Sequence, residues 1–261
     1  MFDSHCHLNF PEFQNNLIPN LEHCLNNGID HWMIPGINLN SLSEFQQLIT
    51  LTTPLTSAIA TNPINMYFAL GLHPYFIEQH QKKDIQVLSK QIESFNIQAI
   101  GETGLDATCT NHNLQTFLLI QHFELAKELK LPIILHHRKT LPELLRIAKR
   151  YPSVKGVIHA FSGSFEQAKQ WIDIGYYLGV GGTITYDRAI KTRNAITRID
   201  LKHLLIETDA PSMPIFGQQG KINAPINLIA ITKSLSELKS IDFNSVDDQC
   251  STNAKKLFGE I

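Results

Sequence analysis

Eight short apolar runs, separated by stretches with helical spacing, constrain the fold of this chain more than any other feature of its sequence. Each run is rich in Ile, Val and Leu and has the length of one buried strand. Buried strands that alternate with helices are typical of a parallel sheet, and eight such units close into a (β/α)8 TIM barrel, an α/β fold of about 250 residues. The predicted strands are Phe2–Leu8, Ile29–Pro35, Met66–His73, Gln98–Glu102, Pro132–His136, Gly156–His159, Tyr176–Gly179 and Leu204–Glu207.

The stretches between the runs are predicted to be helices, and nothing divides the chain. One of them begins at a Ser164 cap and ends at Gly175. No linker rich in Pro, Gly and Ser interrupts the pattern, and 43% hydrophobic with 18% charged residues is ordinary for a globular protein. We therefore expect one domain over residues 1–261.

Reactive side chains follow the apolar runs, at the points where the predicted strands end. The carboxyl ends of parallel barrel strands meet on one face, where the loops build the active site, so residues distant in sequence become neighbours there. One such residue alone is as often structural as functional, but the whole set favours a site. The set comprises His73, Glu102, His136, His137, Arg138, His159, Glu207 and Asp209.

The opening stretch FDSHCHLNF contains three groups that bind metals. If it is a strand, Asp3, His5 and His7 point to the same face because side chains alternate along a strand. Two imidazoles and a carboxylate suit zinc, manganese or cobalt. The alternative for this stretch alone is a partly buried histidine pair in a polar strand.

The same alternation of side chains predicts which of the later residues share a face of their strand. His137 is assigned to the outer side of its strand, because it points away from its two neighbours. Residues that share a face are His136 with Arg138, Glu207 with Asp209, and Glu102 with Gly104 and Asp106. Most of the other histidines are expected at the surface or in packing; they are His23, His31, His80, His112, His122 and His203.

The overall charge does not predict a nucleic-acid partner. The net charge is −2 and the pI is near 6.6, so any binding of phosphates must depend on local patches. Arg188, Lys191 and Arg193 form one candidate patch after the seventh predicted strand, where phosphate sites of barrels often lie. A solvated helix start explains Lys191 and Arg193 equally well.

The sequence contains no signal for export or membrane insertion. Its beginning lacks a basic region followed by an apolar one, and no uninterrupted apolar run reaches about 18 residues. The four cysteines lack CxxC or zinc-finger spacing, as is typical of reduced thiols. We expect a cytoplasmic protein without membrane association or an obligate protein partner.

Six motifs resemble those of the TatD family of metal-dependent hydrolases, within the wider amidohydrolase-like barrels. They follow the family's order over almost the whole chain, so the resemblance is specific. The segments FPEF, YLGVGGTITYDRAIKTR and GQQGKINAP are most similar to the YjjV-like subgroup of bacterial members. The motifs are DSHCH at 3–7, GLHP at 71–74, GETGLD at 101–106, HHR at 136–138, HAFSGS at 159–164 and ETDAP at 207–211.

This resemblance implies two divalent metal ions per chain, and zinc, manganese, magnesium and nickel all remain open. Glu102 would bridge the two ions. His73 and Arg138 match positions expected near the phosphate of the substrate. The first ion would be held by His5, His7, Glu102 and Asp209, and the second by Glu102, His136 and His159.

The activity implied is hydrolysis of phosphodiester bonds, from the 3′ end of single-stranded or frayed DNA. Water activated by the metals would attack the phosphate, with Asp209 and Glu102 as catalytic residues and Asp209 accepting the proton. Arg188 would add a substrate contact, while Asp3 and Glu207 would orient the ligands from behind. For Glu207 a purely structural role is an equal alternative.

Two other functions stay open at this point. The first keeps the metals but changes the bond to an amide or ester, as in deacylation of a D-aminoacyl-tRNA. The second is a non-catalytic, metal-dependent binding protein. A residue that can serve as a base, Asp209, argues against the second, because binding alone needs no proton acceptor.

Three departures from the family pattern concern substrate recognition more than metal binding. Ala160 replaces a cysteine, and Ala107 stands where an aromatic residue is frequent. Many relatives carry Arg-Asn-Glu-Pro in the last loop. This chain has Ile222, Asn223, Ala224 and Pro225 there.

Overall fold

The barrel predicted from the apolar runs is present. The computed structural model describes residues 1–58 and 64–259, and within them eight parallel strands pair in chain order. The strands are β1 (Phe2–Asp3), β2 (His31–Pro35), β3 (Asn65–Leu70), β4 (Ala99–Asp106), β5 (Ile133–Arg138), β6 (Gly156–Ile158), β7 (Tyr177–Val180) and β8 (Leu204–Ile206).

Helices connect the strands, and two of them follow β8. The Ser164 cap is confirmed: its Oγ accepts from the backbone N–H of Gln167, whose side chain accepts from the N–H of Ser164. No helix within the described ranges is long and apolar enough to cross a membrane. The helices are α1 (Leu17–Leu25), α2 (Ser41–Ala58), α3 (Asp84–Ser94), α4 (His112–Leu129), α5 (Leu141–Ala148), α6 (Phe165–Asp173), α7 (Ile190–Arg198), α8 (Leu228–Lys239) and α9 (Phe243–Phe258).

The first strand is shorter than the sequence predicts, because β1 ends at Asp3 and not at Leu8. Directly after it, the backbone N–H of Ser4 donates to the carbonyl of Ile206 in β8 at 3.0 Å. This bond connects the two ends of the sheet. The two histidines of the opening stretch are therefore presented by an irregular segment and not by one face of a strand.

The fourth strand is longer than predicted, because β4 continues past Glu102 to Asp106. Gly104 pairs in register with His136 of β5. A Cβ at Gly104 would overlap the carbonyl oxygen of His136, so only glycine lets the two strands approach this closely. The longer strand carries Asp106 to the same end of the barrel as Glu102.

The inside of the barrel is filled by side chains at one end, and α9 packs against them. Alternation along β2 illustrates the arrangement, because Met33 belongs to this inner cluster whereas Trp32 and Ile34 belong to the larger cluster that includes the helices. Polar residues occupy the opposite end of the barrel, where the carboxyl ends of the strands lie. The inner cluster comprises Phe2, Met33, Ala69, Ala99, Ile134, Val157, Leu205, Ala254 and Phe258.

His122 of α4 is a buried packing residue. Its Nε2 accepts from the backbone N–H of Leu72 at 3.0 Å, and its Nδ1 lies 2.7 Å from the carbonyl oxygen of Leu118. Burial lowers the pKa of His122 to about 4, against an ordinary value of 6.5. Below pH 6.5 the unfolded chain therefore takes up a proton that the folded chain does not.

The free energy of unfolding is expected to fall as the pH falls, because the contribution of neutral His122 is complete above pH 6.5 and is lost towards about pH 4. In His122→Gln, the decrease in the free energy of unfolding between pH 7 and pH 4.5 should be smaller than in wild type by about 2 kcal/mol. Urea unfolding of metal-free protein at the two pH values measures this, with the exposed His23→Gln as control. Equal pH dependence in His122→Gln and wild type would contradict it.

Candidate metal centre

A cavity of about 1080 Å³ lies at the carboxyl end of the barrel strands. Its floor is formed by side chains that follow different strands, which is the placement predicted from the sequence. His5 lies beneath the floor and is fully buried. The histidine and carboxylate side chains that line the cavity are His7, His73, Glu102, His136, His137, His159 and Asp209.

Glu102 lies at the centre of these groups. Its Oε2 is 3.1 Å from Nε2 of His5 and 3.7 Å from Nε2 of His7. Its Oε1 is 3.0 Å from Nε2 of His73 and 3.2 Å from Nδ1 of His136. Burial alone would raise the pKa of Glu102, but His73 and the other imidazoles hold it well below its usual value. The carboxylate is therefore ionised and shared between two groups of imidazoles.

Asp209 faces the same imidazoles from the other side. Its Oδ1 is 3.7 Å from Nε2 of His5, 3.6 Å from Nε2 of His7 and 3.8 Å from Nε2 of His159. Burial raises the pKa of Asp209, and the nearby His159 and His5 oppose this effect. A carboxylate with a raised pKa accepts a proton more readily than one in water.

The donor atoms form three overlapping clusters, and within each cluster they lie within 4.8 Å of one another. Imidazole nitrogens and carboxylate oxygens at such spacing fit a divalent transition metal. The clusters divide the residues differently from the resemblance, because His136 lies with His73 and His159 lies with His5. They are His5 with His7 and Glu102, His5 with His159 and Asp209, and His73 with Glu102 and His136.

His73 makes a hydrogen bond that sets its tautomer. Its Nδ1 accepts from the backbone N–H of Tyr75 at 3.0 Å, so the ring proton lies on Nε2 and is donated to Glu102. Burial lowers the pKa of His73 to about 4, so the ring is neutral. In this arrangement His73 acts as a hydrogen-bond donor to Glu102, although it also belongs to a cluster of possible metal ligands with Glu102 and His136.

Glu207 holds His159 in position. Its Oε1 is 2.9 Å from Nδ1 of His159 and accepts from the backbone N–H of Ala160 at 2.6 Å, which leaves Nε2 of His159 facing Asp209. Burial would lower the pKa of His159, but Glu207 and Asp209 raise it to about 10. A carboxylate behind an imidazole in this way orients metal ligands in many proteins.

Gly179 leaves the space that Glu207 occupies. A Cβ at this position would overlap the carboxylate of Glu207. The glycine of β7 thereby allows a fully buried carboxylate to reach the ring behind the site.

Asp3 lies behind the metal-binding groups and belongs to none of the clusters found in the described residues. Its carboxylate accepts from the N–H of Thr208 at 2.9 Å and from the hydroxyl of Thr208 at 2.6 Å. Burial raises the pKa of Asp3 to about 8. Asp3 therefore ties the segment after β8, which carries Asp209, to the first strand.

Asp106 contacts the site but was not among the predicted site residues. Its Oδ2 lies 3.3 Å from Nε2 of His136, and its Oδ1 accepts from the N–H and hydroxyl of Thr108. Burial would raise the pKa of Asp106, but His136 and Thr108 lower it. The signal was available, since alternation continued beyond the predicted strand places Asp106 on the same face as Glu102.

The basic residues are distributed differently from the prediction. Arg138 lines the metal-site cavity as expected, and Lys139 and Lys191 join it there. Arg188 instead lines a smaller neighbouring cavity. Arg193 lies 3.6 Å from Asp187 and also donates to the carbonyl of Ile184. Of the predicted basic patch, only Lys191 lines the metal-site cavity.

Aromatic residues form part of the cavity wall. The ring of Phe10 stacks on His7 with centroids 4.4 Å apart, and Tyr75 is 61% exposed at the rim. His137, which was assigned to the outer side of its strand, also lines the cavity. Burial lowers the pKa of His137 to about 3, so this ring is neutral.

The last loop places a residue that matches the family pattern, Asn223, beside a departure from it, Ile222. Asn223 is fully buried and donates to the carbonyls of Thr208 and Met213 at 2.9 and 3.2 Å, which secures both sides of Asp209. Ile222 is 61% exposed. The asparagine thus supports the site, while the isoleucine presents an apolar side chain to solvent.

Comparison with known proteins identifies the family. Residues 2–259 match the family model described as TatD related DNase. The chain belongs to the TatD family. It is 35% identical to the metal-dependent hydrolase YjjV of Escherichia coli, over 98% of this chain and 96% of YjjV. It is 34% identical to a metal-dependent hydrolase of Haemophilus influenzae, over 98% of each chain.

Solved structures agree with the fold and the family. The crystal structure of YjjV superposes with a TM-score of 0.88 over 99% of this chain and 97% of that one. A TatD family hydrolase of Entamoeba histolytica shares the fold, with a TM-score of 0.87 at 23% identity, over 100% of this chain and 98% of that one. The protein is thus a metal-dependent hydrolase of the TatD family with a TIM barrel fold.

Glu207→Gln is expected to weaken metal binding by about 10- to 100-fold, because an amide keeps the shape of the side chain but removes the charge behind His159. Competition with a fluorescent chelator measures this affinity. Glu166→Gln, on the exposed surface of α6, is the matched control and should bind metal like wild type. Unchanged affinity in Glu207→Gln would assign this residue to packing alone.

Proposed function

We propose that this hydrolase cleaves phosphodiester bonds of DNA and removes nucleotides from the 3′ end of a single strand. The observation that carries the proposal is the charge distribution in the cavity. Its carboxylates, Glu102 and Asp209, lie among histidines on the floor, while Arg138, Lys139 and Lys191 lie along the wall. A phosphate can therefore approach the floor although the net charge is −2.

Phosphodiester hydrolysis also agrees with the description of the family as TatD related DNase. Two divalent ions would be held at this site, and Glu102 would belong to the ligands of both. Divalent ions supply a water molecule of lowered pKa and stabilise negative charge on phosphate oxygens. The proposed ligands are His5, His7, Glu102, His136, His159 and Asp209.

The protein's own residues have distinct roles in this proposal. Asp209 accepts the proton of the attacking water, which suits a buried carboxylate of raised pKa. Glu102 stays ionised throughout, since its pKa is held well below the usual value. Arg138 and Lys191 neutralise the phosphate, and His73 borders the same cavity with its Nε2–H directed at Glu102.

The test uses one oligonucleotide labelled at either end, with purified protein of known metal content. A 5′ label should yield a ladder of shortened strands, and a 3′ label should be released at once in the terminal nucleotide. Circular single-stranded DNA should stay intact, because it has no 3′ end. A fully metallated protein that cleaves neither oligonucleotide nor bis(p-nitrophenyl) phosphate would overturn the proposal.

Two results would change the proposed substrate without changing the metal centre. Cleavage of circular DNA would mean internal cutting. Release of the amino acid from a D-aminoacyl-tRNA, with no cleavage of DNA, would mean that the bond attacked is an acyl ester.

A further inference from the structure

A second cavity of about 470 Å³ adjoins the metal-site cavity. Thr183 and Met213 belong to the walls of both, so the two cavities are direct neighbours. The second cavity is formed by the loops that follow β7 and β8, and Tyr186 and Arg188 are part of its wall. A substrate longer than the metal-site cavity can extend into it.

Tyr186 and Arg188 belong to the wall of the second cavity, and the exposed ring of Phe216 lies beside it, against Tyr186. The guanidinium carbon of Arg188 lies 5.1 Å from the centre of the Tyr186 ring. Phe216 packs edge-on against Tyr186 with ring centroids 5.8 Å apart, and 65% of Phe216 is exposed. Aromatic faces beside arginine are the groups with which proteins bind unpaired bases and the phosphates between them.

This aromatic surface is held in place by the backbone. The hydroxyl of Tyr186 donates to the carbonyl of Pro214 at 2.7 Å, which joins the loop after β7 to the loop after β8. The N–H of Phe216 donates to Oγ1 of Thr185 at 2.8 Å. The backbone that carries Phe216 therefore needs little ordering when a ligand binds, which favours affinity.

We infer that Tyr186, Arg188 and Phe216 form a subsite for the nucleotide on the 5′ side of the bond that is cleaved. The base of that nucleotide stacks on Phe216, and its phosphate lies at Arg188. The inference rests on the proposed function and extends it, since it makes the enzyme prefer an extended single strand to an isolated diester. Paired bases cannot offer their faces to Phe216, so a duplex must fray first.

Phe216→Ala and Arg188→Ala are each expected to raise KM for an oligothymidylate about 10-fold, with kcat unchanged. Neither should change KM for thymidine 5′-(methyl phosphate), whose leaving group carries neither a base nor a further phosphate. Phe216→Trp should retain the wild-type KM, and Arg188→Ala should reduce the salt dependence of KM. Arg146→Ala is the matched control, because its side chain is 77% exposed on α5.

The outcomes separate this inference from the proposed function. If wild type cleaves the oligothymidylate and both variants match its KM, the subsite is overturned and the nuclease remains. If wild type cleaves no phosphodiester, the nuclease is overturned, and fluorescence polarisation with labelled oligothymidylate then decides the subsite. Weaker binding by both variants supports it, and equal binding overturns it. Both side chains are exposed, so unchanged melting temperatures are expected.

Discussion

Asp209→Asn is expected to lower kcat about 10³-fold, the largest effect on turnover among single substitutions in this site. The amide oxygen can occupy the place of Oδ1 near the imidazoles of His5, His7 and His159. The amide cannot accept a proton, so this residue can no longer deprotonate the attacking water. Hydrolysis of bis(p-nitrophenyl) phosphate measures kcat, and elemental analysis of the same sample measures the metal bound.

Asp187→Asn is the matched control for this substitution. Its carboxylate lies in the loop after β7 and is 99% exposed, so the same chemical change outside the cavity should leave kcat as in wild type. The proton-acceptor role would be wrong if Asp209→Asn kept kcat within about 10-fold of wild type at equal metal content.

Glu102→Gln is expected to weaken metal binding more than 100-fold, and so to remove most activity at ordinary metal concentrations. Glu102 is within 3.2 Å of His5, His73 and His136, and no other carboxylate in the described ranges contacts all three. The amide removes the negative charge that two cations would share. Bound metal can be followed by elemental analysis and by the rise in melting temperature that metal produces.

Glu143→Gln provides the comparison for Glu102→Gln. Glu143 also pairs with an imidazole, that of His112 at 3.0 Å, but on the outer surface of the barrel. The Glu143→Gln variant should bind metal like wild type. Full metal content in Glu102→Gln, with the wild-type rise in melting temperature, would show that this carboxylate is not the shared ligand.

The strands were predictable because buried parallel strands are continuous apolar runs. The sixth strand was expected at Gly156–His159 and is found at Gly156–Ile158. The predicted length of the first strand was wrong. Alternation within the opening stretch predicts an extended chain, but it does not reveal that the N–H groups of Ser4 and Cys6 donate to different neighbouring strands, those of Ile206 and Met33.

The sequence indicates which residues belong to the candidate site better than it indicates how they are arranged. Residues that follow the strands meet at one end because the barrel is parallel. Which imidazole faces which carboxylate depends on side-chain contacts between distant segments. The N–H of Tyr75 sets the tautomer of His73, and Glu207 turns the ring of His159, and neither relation has a sequence spacing that identifies it.

The barrel and the end of it that carries the candidate site could be predicted from the sequence, as could the residues that are candidates to bind metal. Those properties follow from local patterns: apolar runs, helical spacing, and polar residues directly after strands. The folded structure was needed to show that Asp106 supports His136, and that Lys191 lines the metal-site cavity while Arg188 lines the neighbouring one. These placements depend on how loops from separate strands pack against each other, and packing between distant segments leaves no periodic signal in a single chain.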